Sequence, residues 1–410
     1  MSLTKRGTSY ESFSYLERDR DYRAFDLATE LDRVPPHEIT LSKDEEERVS
    51  RLIAANVMIS LHDHVGVFPA DIRRSPEYTH EGRMATAFRG LAHSHWDAVF
   101  DNLMDGILNI ESPHGWKWTE VLHDLGMRLC DLAHQDFVFH ATSVDDILRA
   151  HEEERVAWIA SIEGAAMIEN ELDRIEILYG FGVRALGVAY SEANALGSGL
   201  KEPRDGGLTV FGRRAVERMN KVGMLIDCSH CGDQTTLDTV EVSDKPIVLS
   251  HIGARALWNS NRLAPDEVIT AVAEKGGVIG VEAAPHTTLT RNHTRHSLAS
   301  VMEHFEYIEK LVGIDHVTFG PDTVYGDHVG LHDVYAAALS IKEAHAGAFG
   351  GGGGAENPPH EKVEYVEGLE NPTEGSRNLV RAMVKHGYSD DDIAKAMGGN
   401  VLRVLREAWV

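Results

Sequence analysis

Short apolar runs of strand length recur along the chain, and the longer stretches between them space their apolar residues at helical intervals. The clearest unit is 223–257, GMLIDCSHCGDQTTLDTVEVSDKPIVLSHIGARAL, where the runs 224–228 and 246–249 each lead into a Ser-His pair, at His230 and His251. An amphipathic stretch over 234–242 separates them, so the pattern predicts a β-α-β unit whose right-handed crossover makes the strands parallel neighbours. Six further runs share this character: 57–61, which enters His62-Asp63-His64, then 106–110, 157–162 before Glu163-Gly164, 182–190, 277–282 and 316–320. Helical patterns fill the intervals, among them 42–56 with an acidic first turn, 118–134, 265–274 and 298–312. Eight strand candidates alternating with helices predict an α/β fold, a closed (β/α)8 TIM barrel rather than an open sheet.

The edges of the pattern define the domain. Residues 1–56 are polar and charged and read as an N-terminal lead-in on the surface; residues 57–410 form one barrel domain. Near its end 346–359, AGAFGGGGGAENPP, has too much glycine and proline to pack and reads as a Gly-rich mobile insertion; no Gly-Lys-Ser/Thr follows that would make it a phosphate loop. The last stretch, GYSDDDIAKAMGGNVLRVLREAW, predicts two closing helices on the far side of the barrel, with Ser389 as N-cap.

Composition narrows the function classes. Forty basic and sixty-five acidic side chains leave a formal charge of −25, which repels phosphate backbones and anionic lipid, so no nucleic acid and no membrane surface is expected as a partner. No apolar run reaches the roughly 20 residues of a membrane span, and the first residues lack the apolar core of a secretion signal. Three cysteines, Cys130, Cys228 and Cys231, are too few for a disulfide framework. A cytoplasmic protein is expected.

The strand ends carry the candidate chemistry. His62 and His64 stand on the first strand, two apart and so on one face, Glu163 on the third, His230 and His251 on the fifth and sixth, and Asp322 just beyond the eighth. In parallel α/β folds that end of the sheet carries the reactive groups. Imidazole and carboxylate suit a borderline-soft divalent cation, and two such ions need a shared ligand, for which Glu163 is the natural bridge. Asp322 is placed to move a proton. One histidine at a strand end is ordinarily a hydrogen-bonded core residue; it is the convergence of five that points to metal. The spacing of Cys228 and Cys231 has no second pair and reads as packing, and His93-Ser94-His95 follows no apolar strand and reads as a loop pair.

These residues sit in longer motifs. Ile162-Glu163-Gly164, GVRALGVAYSEAN at 182–194, GLTVFGRRAVERMNKVGMLIDCSH at 207–230, PIVLSHIGARAL at 246–257, RLAPDEVITAVAEKGGVIGV at 262–281, GIDHVTFGPD at 313–322 and GYSDDDIAKAMGGNVLRV at 387–404 together resemble the membrane (renal-type) dipeptidases, peptidase family M19 of the amidohydrolase superfamily. The resemblance implies a TIM barrel with two divalent metal ions, zinc by preference, and hydrolysis of dipeptides, at an amide bond adjacent to a free carboxylate, by a metal-bridging hydroxide. It implies His62, His64, Glu163, His230 and His251 as metal ligands, Asp322 as proton shuttle, Arg262 as the group that binds the substrate's carboxylate, and a homodimer.

Three departures bear on the substrate. His64 replaces the aspartate of the family's His-x-Asp. Tyr190 aligns with the histidine that polarises the scissile carbonyl, and a phenol still donates a hydrogen bond to an oxyanion. Glu282-Ala283-Ala284 replaces Asn-Phe-Tyr after the seventh strand, adding a carboxylate and removing aromatic bulk. A hydrolase of another small amide, a lactam or a lactone, or a metal-dependent decarboxylase, is the alternative on the same scaffold; a catalytically idle scaffold would require a degraded ligand set.

Overall fold

The computed structural model describes residues 9–103, 117–338 and 357–410. Eight parallel strands, β1 (Ile59–Asp63), β2 (Ala98–Leu103), β3 (Val156–Ile162), β4 (Val183–Gly187), β5 (Leu225–Asp227), β6 (Val248–Ile252), β7 (Val278–Val281) and β8 (Val317–Phe319), pair in sequence order. The seam between β8 and β1 is held by loop backbone: Asp322 N donates to His62 O at 3.0 Å, and His64 N to Thr323 O at 3.0 Å. The result is the nearly closed (β/α)8 barrel that the alternation predicted.

Alternate residues on each strand go to two different cores, as the pleat requires. On β3, Ala157 and Ile159 join Ile59, Leu61, Phe100 and Leu225 in one buried cluster, while Trp158, Ala160 and Ile162 pack with the surrounding helices in the other. Continuing the first parity past the strand end brings Glu163 onto the axial face. Because both faces are buried, the strands read as near-continuous apolar runs.

The exception is β2. The run at 106–110, expected to be the second strand, lies outside the described residues, and the place beside β1 is taken by Ala98–Leu103. Polar Asp101 and Asn102 interrupt its apolar pattern, and both are engaged. Asp101 accepts from Val65 N at 3.0 Å and Trp158 Nε1 at 2.6 Å, and Asn102 is within hydrogen-bond distance of His62.

The far end of the barrel is closed by the C-terminal helices, Asp390–Ala394 with Ser389 as N-cap and Asn400–Ala408. Val401, Leu402, Leu405 and Trp409 pack into the axial cluster, and Asn400 Nδ2 donates to Ile314 O at 2.7 Å and Val317 O at 2.9 Å, where β8 begins. Of the glycine-rich stretch, 346–356 lie outside the described residues; Asn357 then exchanges hydrogen bonds with Asn259. Residues 9–41 run over the barrel with Phe13 and Phe25 buried, and buried Asp131 anchors them, accepting from Tyr10 Oη and Ser12 Oγ at 2.6 Å each and from Phe13 N at 3.0 Å. Lys43–Ala55 is the expected helix, capped by Ser42 in a capping box with Glu45. Among the described residues no helix is long and apolar enough to cross a membrane.

Candidate metal centre

Four of the expected histidines are within hydrogen-bond distance of a protein partner through Nδ1, which leaves Nε2 of each pointing into a common space. His62 Nδ1 is 2.7 Å from Asn102 Nδ2, His64 Nδ1 3.2 Å from Asn102 O, His230 Nδ1 3.1 Å from Ser191 Oγ, and His251 Nδ1 2.8 Å from Ser250 Oγ. Such partners fix ring orientation and tautomer in metal-binding imidazoles. On the Nε2 side, His62 lies 2.9 Å from Glu163 Oε1 and 3.2 Å from Asp322 Oδ1, and His64 lies 3.4 and 3.1 Å from the same two oxygens. His230 Nε2 is 2.9 Å from His251 Nε2 and 3.9 Å from Glu163 Oε2. Glu163 therefore faces His62 and His64 through Oε1 and His230 through Oε2, while the His251 ring lies against that of His62, with centroids 3.5 Å apart.

The backbone explains how the residues meet. A register shift between Ser60 and Asp63 lets β1 present His62 and His64 together, while Asp63 between them turns away and accepts from Thr323 N and Oγ1, both at 2.8 Å. That anchor brings in Asp322, which adopts φ 57, an uncommon conformation for a residue with a side chain and one that concentrates at functional sites. Asp227, the end of β5, accepts from Ser229 Oγ at 2.7 Å, Ser250 N at 3.0 Å and Ser250 Oγ at 2.5 Å, tying β5 to β6. His251 lies within β6, but His230 stands three residues beyond β5, in the loop, and not at the strand end the pattern implied. Close approach also demands glycine: a Cβ on Gly187 would lie 1.7 Å from Glu163 O, and one on Gly320 2.0 Å from Ser250 O.

Charge is distributed unevenly across the cluster. Burial works against a charged His62, but the carboxylates of Asp322 and Glu163 beside it outweigh that and raise its pKa to about 9. Burial alone would raise Glu163 and Asp322, yet their bonds to His62 and His64 hold both well below the usual carboxylate range. Burial, with Arg262 and neighbouring imidazoles, keeps His230 and His251 well below the ordinary histidine value, so both are neutral.

The donor set fits a cation. One ligand atom from each of His62, Glu163, His251 and Asp322 lies within 4.8 Å of all the others. The separations of 2.9 to 3.4 Å around His62 and His64 bracket the edge of a zinc tetrahedron, about 3.3 Å for bonds of about 2.0–2.1 Å. His62 Nε2 and Glu163 Oε2 are fully buried yet lack a geometrically sound hydrogen bond among the described residues, a cost normally avoided unless another partner binds there.

The remaining expected residues border this cluster. The Tyr190 ring lies over His230, with centroids 4.3 Å apart and planes 32° from parallel. Arg262 is buried and donates to Ser229 O at 3.2 Å and His251 O at 3.1 Å, and it pairs with the carboxylate of buried Glu282. Burial pushes Glu282 up to about 7, with Arg262 opposing. Asn102, Ser191, Asp227 and Ser250 were not anticipated, although Ser191, Asp227 and Ser250 lie inside the motifs at 182–194, 207–230 and 246–257. A second imidazole pair, His328 and His332, four apart on one helix with Nε2 atoms 3.2 Å apart, was also passed over. Cys228 and Cys231 are buried free thiols in the main apolar cluster, and His93 ends a helix with Nδ1 2.8 Å from Arg89 O.

Comparison with known proteins places these features in context. The profile of the membrane dipeptidase family, peptidase family M19, matches residues 47–344. Dipeptidase tcpJ of Claviceps purpurea is 29% identical over 286 residues, 69% of this chain and 58% of that protein. Dipeptidase aclJ of Aspergillus oryzae is 28% identical over 298 residues, 70% of this chain and 61% of that protein. The chain thus spans about three fifths of the length of these curated relatives. An amidohydrolase from Pseudomonas aeruginosa shares the fold, with a TM-score of 0.68 and 23% identity over 88% of this chain and 99% of that one.

Proposed function

Because this chain belongs to the membrane dipeptidase family, peptidase family M19, we propose that it hydrolyses a small amide of dipeptide size at a centre of two divalent metal ions, zinc by preference. The observation that carries the reading is the convergence of His62, His64 and His230 Nε2 on the carboxylates of Glu163 and Asp322, with His251 Nε2 2.9 Å from His230 Nε2 and each Nδ1 already partnered. His62 and His64 with one Glu163 oxygen would hold one ion, and His230 and His251 with the other oxygen the second. Bound there, the ions supply a nucleophilic water at neutral pH and a Lewis acid for the carbonyl.

The chain's own residues do the rest. Asp322, at the seam, within hydrogen-bond distance of His64 and 3.2 Å from His62 Nε2, accepts the proton of the attacking water and returns it to the leaving amine. A C–O bond forms, the C–N bond breaks, and the products are an acid and an amine. Tyr190 on His230 offers a phenolic O–H to the oxyanion that develops at the carbonyl. Residues 57–410 are the catalytic unit in this reading, with residues 1–56 bound to it as a lead-in. A cytoplasmic homodimer completes the proposal.

Metal analysis of the purified protein, followed by a panel of L,L and L,D dipeptides, N-acyl amino acids and lactams, tests it. About two metal ions per chain and turnover of at least one amide are expected. Less than one ion per chain, with no recovery on adding zinc, rules it out. One observation favours a non-dipeptide amide as second reading: the guanidinium that would hold a substrate carboxylate is already paired with Glu282.

A further inference from the structure

Arg262 is fastened to the same backbone that carries two of the site histidines. Its terminal nitrogens donate to Ser229 O, just before His230, at 3.2 Å and to His251 O at 3.1 Å, and its exposure is 3%. Its ion-pair partner is Glu282, the residue after β7, whose exposure is 0%. One guanidinium and one carboxyl group face each other at the rim of the centre.

The pair is incompletely satisfied. Glu282 Oε2 meets the guanidinium, but Oε1 is fully buried and has no hydrogen-bond partner among the described residues. Arg262 carries five N–H bonds, of which three are engaged by the described residues, so the pair retains both N–H donors and one acceptor oxygen. A neutral carboxamide edge is the complement of that arrangement, with its C=O accepting from Arg262 and its N–H donating to Glu282. A free carboxylate is the wrong partner: it would place a second anion against a single buried guanidinium and turn its lone pairs towards Oε1.

We propose that the Arg262–Glu282 pair makes this site select small amides that present a neutral carboxamide or ring-amide edge, in place of those that end in a free carboxylate. The proposal rests on the reading of the centre as an amide hydrolase and names the substrate class of that same site. Glu282 is a specificity-determining residue here and takes no part in the chemical step.

The test uses zinc-loaded full-length protein at pH 8 and matched substrates, L-Ala-L-Ala and L-Ala-D-Ala against their C-terminal carboxamides. Wild type is expected to show a higher kcat/KM for the carboxamide by about tenfold or more. In Glu282→Gln, with metal content retained, the acid-to-amide preference should swing towards the acid by about a hundredfold, since the removed charge leaves Arg262 unopposed. Wild-type preference for the free acids, or a swing of less than about twofold, overturns the proposal.

Should Glu282→Gln fail to fold, the wild-type preference alone decides. Should no member of either pair turn over, the amide-hydrolase reading is decided separately by the metal content and the wider amide panel. Calorimetric binding of N-acetylglycinamide and N-acetylglycine to wild type and variant then reads the corner directly: attraction of the carboxylate to metal cancels in the ratio, and an unchanged ratio rejects the assignment.

Discussion

The most exacting prediction concerns Gly187, the last residue of β4, which touches no expected ligand side chain and yet shares a border with one. A Cβ built there would lie 1.7 Å from the carbonyl oxygen and 2.3 Å from the carbonyl carbon of Glu163. Both are backbone atoms, so no rotamer change relieves the clash, and Gly187→Ala must part β3 from β4 or displace Glu163. Overpacking of this kind costs about 1–3 kcal/mol, and contact with backbone puts this case near about 3 kcal/mol. With about 2.1 cal/mol/K of unfolding entropy per residue over 410 residues, the midpoint of the metal-free protein should fall by about 3–4 °C. Displacing a ligand by about 1 Å should lower kcat/KM by about a hundredfold and reduce the metal retained.

Gly126→Ala provides the control. Gly126 is exposed within Trp118–Leu132, and a Cβ there meets nothing within 4 Å, so the same chemical change should stabilise by about 0.5–1 kcal/mol. Calorimetry of the metal-free proteins, metal analysis and initial rates are the assays. A Gly187→Ala protein that matches wild type in midpoint, metal content and kcat/KM would refute the claim that β4 positions Glu163.

Three further outcomes follow from the same geometry. Ser250→Ala removes the hydroxyl between Asp227 and His251 Nδ1, and metal affinity should drop about 10- to 100-fold in a chelator competition; unchanged affinity would show that the imidazole needs no such support. Asp322→Asn, metal-loaded and folded by circular dichroism, should lose about 10²- to 10⁴-fold in kcat, whereas an effect confined to KM would remove Asp322 from the proton transfer. In the metal-free protein His62 has its pKa raised from 6.5 to about 9, so its stabilising contribution is complete below 6.5 and disappears as pH rises towards 9. Urea unfolding of wild type minus His62→Gln isolates that slope, and a difference that stays flat from pH 6.5 to 9 contradicts the assigned charge state.

Much of this protein is legible along its sequence because parallel strands buried on both faces are written as local apolar runs. Seven of the eight barrel strands, the Leu298–Val312 helix and the Ser389 cap follow from pattern alone. The second strand does not: Asp101 and Asn102 lower the hydropathy of Ala98–Leu103 because their polar groups serve partners on other strands, which a one-dimensional window cannot see.

The site divides along the same line. Ligand types at strand ends are local information, so the residues at positions 62, 64, 163, 230, 251 and 322 could be singled out before any coordinate was known. Their supports could not, since Ser191 meets His230 across 39 residues of chain, Asn102 meets His62 across 40, and His64 meets Asp322 across 258. Nor could the sequence tell that Arg262 and Glu282, 20 residues apart, neutralise each other. An arginine read alone suggests an anion site, and only tertiary packing, which sets which buried charges must pair and which oxygen is left over, decides what that corner can recognise.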